Sequence, residues 1–187
     1  MDAENIVEIV RIPRERVEAL KGEGDETLRM LEEKLDLKIS VDKEGDVEIE
    51  GESVNVFFAL PVIKAVGRGF EPRIALKLRD DEYGLKVIDL CDYAKNKKQM
   101  TRVKGRIIGE NGKAKEIIES EAECNLAIYG HTVGIIGRLD VIDVAATAVF
   151  KLAEGTPHSG VYFYLEKNKR RRKGEELAGR TGKMWKK

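Results

Sequence analysis

The sequence predicts an α+β fold in which one small unit occurs twice, each copy running strand, helix, glycine loop, helix, strand, strand, helix. Two observations carry that prediction. Glycine loops begin at Gly22 and Gly109, 87 residues apart, a period too long for a solenoid and suited to a tandem domain. Around each loop apolar residues recur at helical spacing, and past it two short runs alternate in the manner of half-buried strands. At 187 residues the chain can house two small modules, each with a modest core.

In the first copy, Asn5 to Ile12 alternates around Ile6, Ile9 and Val10 and stops at Pro13, a residue suited to starting a helix. A short helix runs from there to about Lys21, and Gly22-Glu23-Gly24-Asp25 breaks it. Leu28, Leu31 and Leu35 then mark a second helix ending at Asp36. Strands Leu37 to Val41 and Val47 to Glu50 flank a turn through Lys43-Glu44-Gly45-Asp46. A helix from Ser53 to Val66 closes the copy, kinked or restarted at Pro61. Next, Gly67-Arg68-Gly69 reads as a hinge and Pro72 as the start of a helix of about eight residues. Its apolar stripe of Phe70, Ile74, Ala75 and Leu78 makes it a packed bridge that fixes the relation between the modules.

The second copy opens with a strand over residues 85 to 93. Met100, Val103 and Ile107 share a helix face leading to Gly109, and Ala114, Ile117 and Ile118 mark the helix beyond. Short strands Leu126 to Tyr129 and Thr132 to Ile136 meet at a turn through Gly130-His131. A helix from Asp140 to Ala153 is stopped by Gly155 and Pro157. The expected layout is therefore 1–66 for the first module, 67–84 for the bridge, 85–164 for the second module, and a basic tail over 165–187.

Formal net charge is zero, yet the charge is unevenly placed, and that asymmetry is the informative quantity. Residues 1–66 hold 9 Lys/Arg against 17 Asp/Glu, whereas 165–187 hold 10 against 3. No apolar run approaches the roughly 18 to 20 residues of a membrane span, and the acidic start, with Asp2 and Glu4, is unlike a signal peptide. A soluble cytoplasmic protein without membrane partners is expected. Cys91 and Cys124, the two cysteines, lie outside any CxxC or Cys/His cluster and read as buried or inert thiols. His131 and His158 are the only histidines, and His158, in Gly155-Thr156-Pro157-His158-Ser159-Gly160, reads as a turn residue. No cluster has metal-ligand or catalytic spacing, so neither a cofactor nor enzyme activity is expected.

The chemistry concentrates in the second loop. A helix, then Gly109-Glu110-Asn111-Gly112, then a second helix gathers free backbone N–H groups and a positive helix end at one point, where a phosphate fits. Glycine at both ends permits close approach of a sugar-phosphate backbone and φ > 0. Arg102, Lys104, Arg106, Lys113 and Lys115 flank it, and residues 95–115 hold eight Lys/Arg against one acid, Glu110.

A lone GxxG is weak, but this one is preceded by Arg-Ile-Ile and opens a helix in a repeated unit. Gly105-Arg106-Ile107-Ile108-Gly109-x-x-Gly112-Lys113 resembles the KH signature, and the final helix after both strands resembles the type I variant. The resemblance implies two tandem type I KH domains, each βααββα with a three-stranded antiparallel sheet and three helices. It also implies a groove that clamps about four nucleotides of single-stranded RNA, lined by Ile107, Ile108, Ile117, Leu126 and Ile128, with Gly130-His131 as its other lip. Those five side chains also suit an ordinary core, and both roles stay open. Glu110 departs from the signature, which favours a cation there. A carboxylate about 8 Å from a phosphate costs roughly 0.5 to 2 kcal/mol as the effective dielectric goes from 80 to 20, so it weakens the clamp without abolishing it.

The first loop reads differently. Asp25 stands where the second glycine belongs, and Glu23, Asp25 and Glu26 crowd the phosphate position. Asp25 is also a preferred N-cap whose carboxylate could satisfy the helix N–H groups. The first module is read as a degenerate KH domain kept for structure or protein contact. Lys167 to Lys173 places six cations in seven positions. Lys169, Arg170, Arg171 and Arg172 within it read either as a solvated end or as salt-sensitive phosphate contacts, and Trp185 as a base-stacking candidate.

Wider similarity sharpens the expectation. Ala65-Val66-Gly67-Arg68-Gly69-Phe70, the loop itself, Tyr129-Gly130-x-Thr132-Val133-x-Ile135-Ile136-Gly137 and Thr156-Pro157-His158-Ser159-Gly160-Val161-Tyr162 resemble the archaeal branch of the partner-of-Nob (Pno, also called Dim) small-ribosomal-subunit assembly factors. That resemblance implies binding near the 3′ end of small-subunit rRNA in subunit assembly or pre-rRNA processing. Partnership with a Nob-type endonuclease is implied too, as is a first module that contacts ribosomal or translation-factor proteins. Two further classes stay open from residues alone: a general single-stranded nucleic-acid binder or RNA chaperone, and a protein-interaction scaffold built on the acidic first module.

Overall fold

The computed structural model describes residues 4–184. Strand β1 (Asn5–Arg11) is followed by a 3-10 turn (Arg14–Arg16) and helix α1 (Val17–Lys21). A second 3-10 turn (Glu23–Asp25) forms the first glycine loop and leads into α2 (Glu26–Leu35). β2 (Lys38–Val41), β3 (Asp46–Glu52) and α3 (Ser53–Gly67) complete the first copy. The bridge is α4 (Pro72–Ala75) continued by a 3-10 turn (Leu76–Arg79). The second copy comprises β4 (Tyr83–Asp89), α5 (Lys97–Ile108), a 3-10 loop (Glu110–Gly112), α6 (Lys113–Glu121), β5 (Cys124–Tyr129), β6 (Thr132–Arg138) and α7 (Ile142–Glu154). A long helix, α8 (His158–Met184), follows.

The strands form two three-stranded antiparallel sheets, ordered β1-β3-β2 and β4-β6-β5. By contacts the chain divides into two compact units that do not follow the repeat: residues up to Asp89 together with Asn125–Leu139, and Leu90–Cys124 together with the chain from Asp140 onward. The first unit therefore contains almost all of both sheets. Its core gathers Leu20, Leu31, Val47, Ile49, Ile63 and Val66 from the first copy, Phe70, Ala75 and Leu78 from the bridge, and Ala127 and Ile136 from the second sheet. Close packing there depends on glycine: a side chain at Gly134 would come within 2.6 Å of the Phe70 ring, and one at Gly69 within 2.8 Å of Tyr129 Cβ. The bridge is packed, as its apolar stripe requires.

The second unit contains helices α5 to α8. Val103, Ile107, Ala114, Ile118, Val149, Leu152, Val161 and Leu165 are among its buried helical side chains. Contacts run from α5 to α6 and α7 and from α8 to α6 and α7.

Several expectations are corrected. β4 covers 83–89 instead of 85–93, because its partner β6 begins at Thr132, opposite Asp89, and leaves nothing for residues 90–93 to pair with. Those residues turn instead, with the Tyr93 N–H donating to the Leu90 carbonyl at 3.0 Å. α3 runs unbroken through Pro61; the carbonyl that a proline leaves unbonded belongs to Phe57, which is exposed and open to water. The run 167–173 lies on α8, and His158 is that helix's first residue, not part of a turn. Cys124 is buried as expected, but Cys91 is exposed. Trp185 lies outside the described residues. Among the described residues no helix is long and apolar enough to cross a membrane.

Candidate nucleic-acid interface

The loop between α5 and α6 is built from both sides. Asn96 caps α5, its Oδ1 accepting from the Gln99 N–H at 2.9 Å, and Gln99 Oε1 accepts in return from the Lys95 N–H at 2.8 Å. These two side-chain hydrogen bonds fix the start of α5. Val103 and Ile107 are buried, so the helix is keyed along one face and Arg102, Lys104 and Arg106 fall outside it. At its end Gly109 takes φ 75°, ψ 175°. A side chain there would come within 2.6 Å of Ala114 Cβ and 2.7 Å of Ala114 N, so glycine is needed for the loop to close onto α6. Asn111 (φ 52°) and Gly112 (φ 82°) continue in the left-handed region. The Lys113 N–H donates to Glu110 O, and no side chain caps α6. The N-terminal turn of α6 thus faces outward with uncapped N–H groups and its positive dipole end, the arrangement that binds anions.

Around this loop Arg102, Glu110, Asn111 and Lys113 are exposed and Lys104, Gly112 and Lys115 half-buried, while Gly105 has open space beside it. Lys115 reaches Glu119 at 4.0 Å on the same helix, a surface pair of little energetic weight. Arg106 is turned against the C-terminal cap of α7: a side chain at Gly155 would meet its guanidinium at 3.1 Å. Of the five apolar candidates, Ile107 and Leu126 are core, whereas Ile108, Ile117 and Ile128 present surface. Leu126 and Ile128 lie on β5 of the first unit, beside the Gly130-His131 turn, where His131 Nε2 stands 3.8 Å from Asp89 Oδ2.

The basic run is placed away from the loop. Lys169 Nζ donates to Ser120 O at 3.0 Å and Glu121 Oε1 at 3.2 Å, and Arg172 donates to Glu123 Oε1 at 3.2 Å. These groups belong to the C-terminal end of α6 and the residues after it, about 12 Å along the helix axis from Lys113. Cations there satisfy helix C-terminal carbonyls. Arg170 pairs with Glu166 on its own helix. Of the four tail candidates only Arg171 has no acidic partner among the described residues.

Sequence reasoning missed His158. Its Nε2 lies 2.8 Å from the Arg106 carbonyl; a carbonyl only accepts, so Nε2 carries the proton and donates. The first residue of α8 thereby caps the end of α5 next to the loop. No one-dimensional signal links positions 52 apart, although the Asn96-x-x-Gln99 cap was readable. Asp25 also needs correction. It occupies the N-cap position of α2 but with φ 61°, ψ 20°, and its side chain makes no capping hydrogen bond.

Residues 84–170 match the family model for the second KH domain of PNO1, an eukaryotic type KH domain (KH-domain type I). The chain is 38% identical over 186 residues to the KH domain-containing protein MJ0443 of Methanocaldococcus jannaschii, covering 97% of this chain and 80% of that protein. The chain belongs to the Pno1/Dim2 family of KH-domain proteins. Among solved structures, Dim2p from Pyrococcus horikoshii OT3 superposes with a TM-score of 0.81 at 37% identity, over 87% of this chain and 99% of that one. The a/eIF2alpha-aDim2p-rRNA complex from the same organism gives 0.83 at 36% identity, over 90% of this chain and 97% of that one. The matched KH domain of residues 84–170 contains the loop at Gly109.

Proposed function

We propose that this protein is a non-enzymatic, cytoplasmic RNA-binding factor that holds single-stranded small-subunit rRNA near its 3′ end, acting in subunit assembly or pre-rRNA processing. The observation that carries it is the uncapped N-terminal turn of α6 behind Gly109 and Gly112, with Arg102, Lys104, Lys113 and Lys115 around it. Arg106 and His158 hold the loop's base. The relative solved with rRNA supports RNA of this kind as the ligand.

The functional layout follows the repeat: a degenerate type I KH module over 1–66, a bridge over 67–84, the RNA-binding KH module over 85–164, and a basic end over 165–187. The first module, net acidic and without a second loop glycine, serves structure and protein contact, with a Nob-type endonuclease and ribosomal or translation-factor proteins as its partner classes.

Cross-linking the full protein to RNA in cells and sequencing the bound fragments tests the reading. Enrichment at the 3′ end of small-subunit rRNA is expected. Reads scattered over many RNAs would replace it with a general single-strand binder, and none at all with a protein scaffold.

A further inference from the structure

The face of α8 that points directly away from its packing seam carries an arrangement the loop does not explain. Val161 and Leu165 are fully buried and define the seam. At 3.6 residues per turn Phe163, two residues from each, stands on the opposite side, and it is 68% exposed. Lys167 and Arg171 follow at i+4 and i+8 on the same face, both exposed and neither paired with an acid among the described residues. Gly160 and Gly174 complete the stripe at its two ends.

Those glycines have no conformational reason to be there. Neither takes positive φ. A side chain at Gly174 would meet nothing within 4 Å, and one at Gly160 only Thr156 Cγ2 at an ordinary 3.6 Å. Glycine is nevertheless among the poorest helix formers, so two of them on one exposed face weaken the helix with no return inside the fold. A return exists outside it: without Cβ atoms the helix backbone can be approached closely at both ends of the stripe.

We infer that the outer face of α8 is a second RNA-contact surface, with Phe163 stacking on a base and Lys167 and Arg171 holding successive phosphates of a strand that continues beyond the loop. The face is aromatic and cationic, and a polyanion with π faces complements both features. Four-residue steps along a helix advance about 6 Å, a spacing an extended strand can follow. The inference rests on the RNA reading above, and it assigns the contact to Phe163, Lys167 and Arg171 instead of the ion-paired Lys169 and Arg172.

The test uses the full chain and two single-stranded RNAs from the small-subunit rRNA 3′ end: one of about four nucleotides, the span of a KH groove, and a longer one containing it. Phe163→Ala is expected to weaken binding of the longer RNA about five- to tenfold and to leave the short one unchanged. Lys167→Ala with Arg171→Ala should lower the salt dependence for the longer RNA, which Phe163→Ala should not. Gly160→Ala and Gly174→Ala should raise the melting temperature yet weaken binding of the longer RNA, a combination a purely structural role cannot give. If these variants bind the longer RNA like the parent, the inference is wrong while the loop stands, and an effect confined to a protein partner would also overturn it. If the parent binds neither RNA, the RNA reading itself fails.

Discussion

Gly22, Glu23, Gly24 and Asp25 trace the same backbone path as Gly109, Glu110, Asn111 and Gly112. The first glycines take φ 71° and 75°, the third positions φ 57° and 52°, and the fourth φ 61° and 82°. Each first glycine packs on the residue five positions later: a side chain at Gly22 would meet Thr27 Oγ1 at 2.2 Å, as one at Gly109 would meet Ala114. Even the glutamate at the second position is shared. What differs is the third and fourth positions and their surroundings, where Gly24, Asp25 and Glu26 correspond to Asn111, Gly112 and Lys113, and Lys21 corresponds to Ile108. The backbone shape of the loop recurs in both copies, and the two differ in side-chain charge.

Paired glycine substitutions give the strongest break of that comparison. Gly22→Ala and Gly109→Ala should destabilise by similar amounts, at least about 1–3 kcal/mol from backbone strain, read as matched drops in denaturation midpoint. Gly109→Ala alone should also cost roughly ten- to a hundredfold in RNA affinity, as charge-assisted hydrogen bonds worth about 1.5–3 kcal/mol are lost. Equal RNA losses from both variants would mean that the first loop also clamps RNA.

Glu110→Lys probes the one acid of the second loop. Removing a repulsion of about 0.5–2 kcal/mol should tighten RNA binding roughly two- to thirtyfold in anisotropy titrations at low salt, with a steeper salt dependence. An unchanged or weaker affinity would count against this loop as the phosphate clamp.

Grafting asks whether charge is sufficient. Gly24→Asn, Asp25→Gly and Glu26→Lys give the first loop the residues of the second on a backbone that already matches. Relief of the left-handed Asp25 and the added chain entropy of glycine oppose each other at up to about 1 kcal/mol each, so stability should move little. A second, weaker RNA site should appear in the binding stoichiometry. Stoichiometry that stays at one would show that the acidic surroundings of the first copy, not the loop alone, exclude RNA.

Element order up to α7 and both loops were legible in the sequence because their signals are local: alternation, helical spacing, Gly and Pro. Ile107 and Ile118 could be placed on buried faces from spacing alone. Contacts between positions distant in sequence were not legible. Nothing one-dimensional joins Phe70 to Gly134, or His158 to Arg106, and the end of β4 depends on where its partner strand begins. The basic run shows the same limit. Composition cannot tell a cation facing solvent from one reaching Glu121 or Glu123, and only the helix that carries them separates Arg171 from Lys169 and Arg172.

Tyr129, from the second sheet, supplies the smallest and most diagnostic test of the first copy's structural role. Its hydroxyl donates to Glu15, and the Arg16 guanidinium lies 5.8 Å over its ring while donating to Val66 O and Phe70 O at 2.9 and 2.8 Å. The turn at the start of α1 is thus occupied in holding the second sheet. The hydrogen bond to Glu15 raises the Tyr129 pKa above its ordinary value, with burial and the Glu15 charge adding and Arg16 opposing. A raised folded value means that this stabilisation is complete below the unfolded pKa of about 10 and fades as pH rises through the folded value. Tyr129→Phe should cost up to about 1 kcal/mol near neutral pH, less if water screens the pair. As pH rises above about 10 the parent's denaturation midpoint should fall toward that of the variant as the phenol ionises. A gap that stays constant over that range would mean that ring packing, not the Tyr129–Glu15 hydrogen bond, holds the second sheet to the first copy.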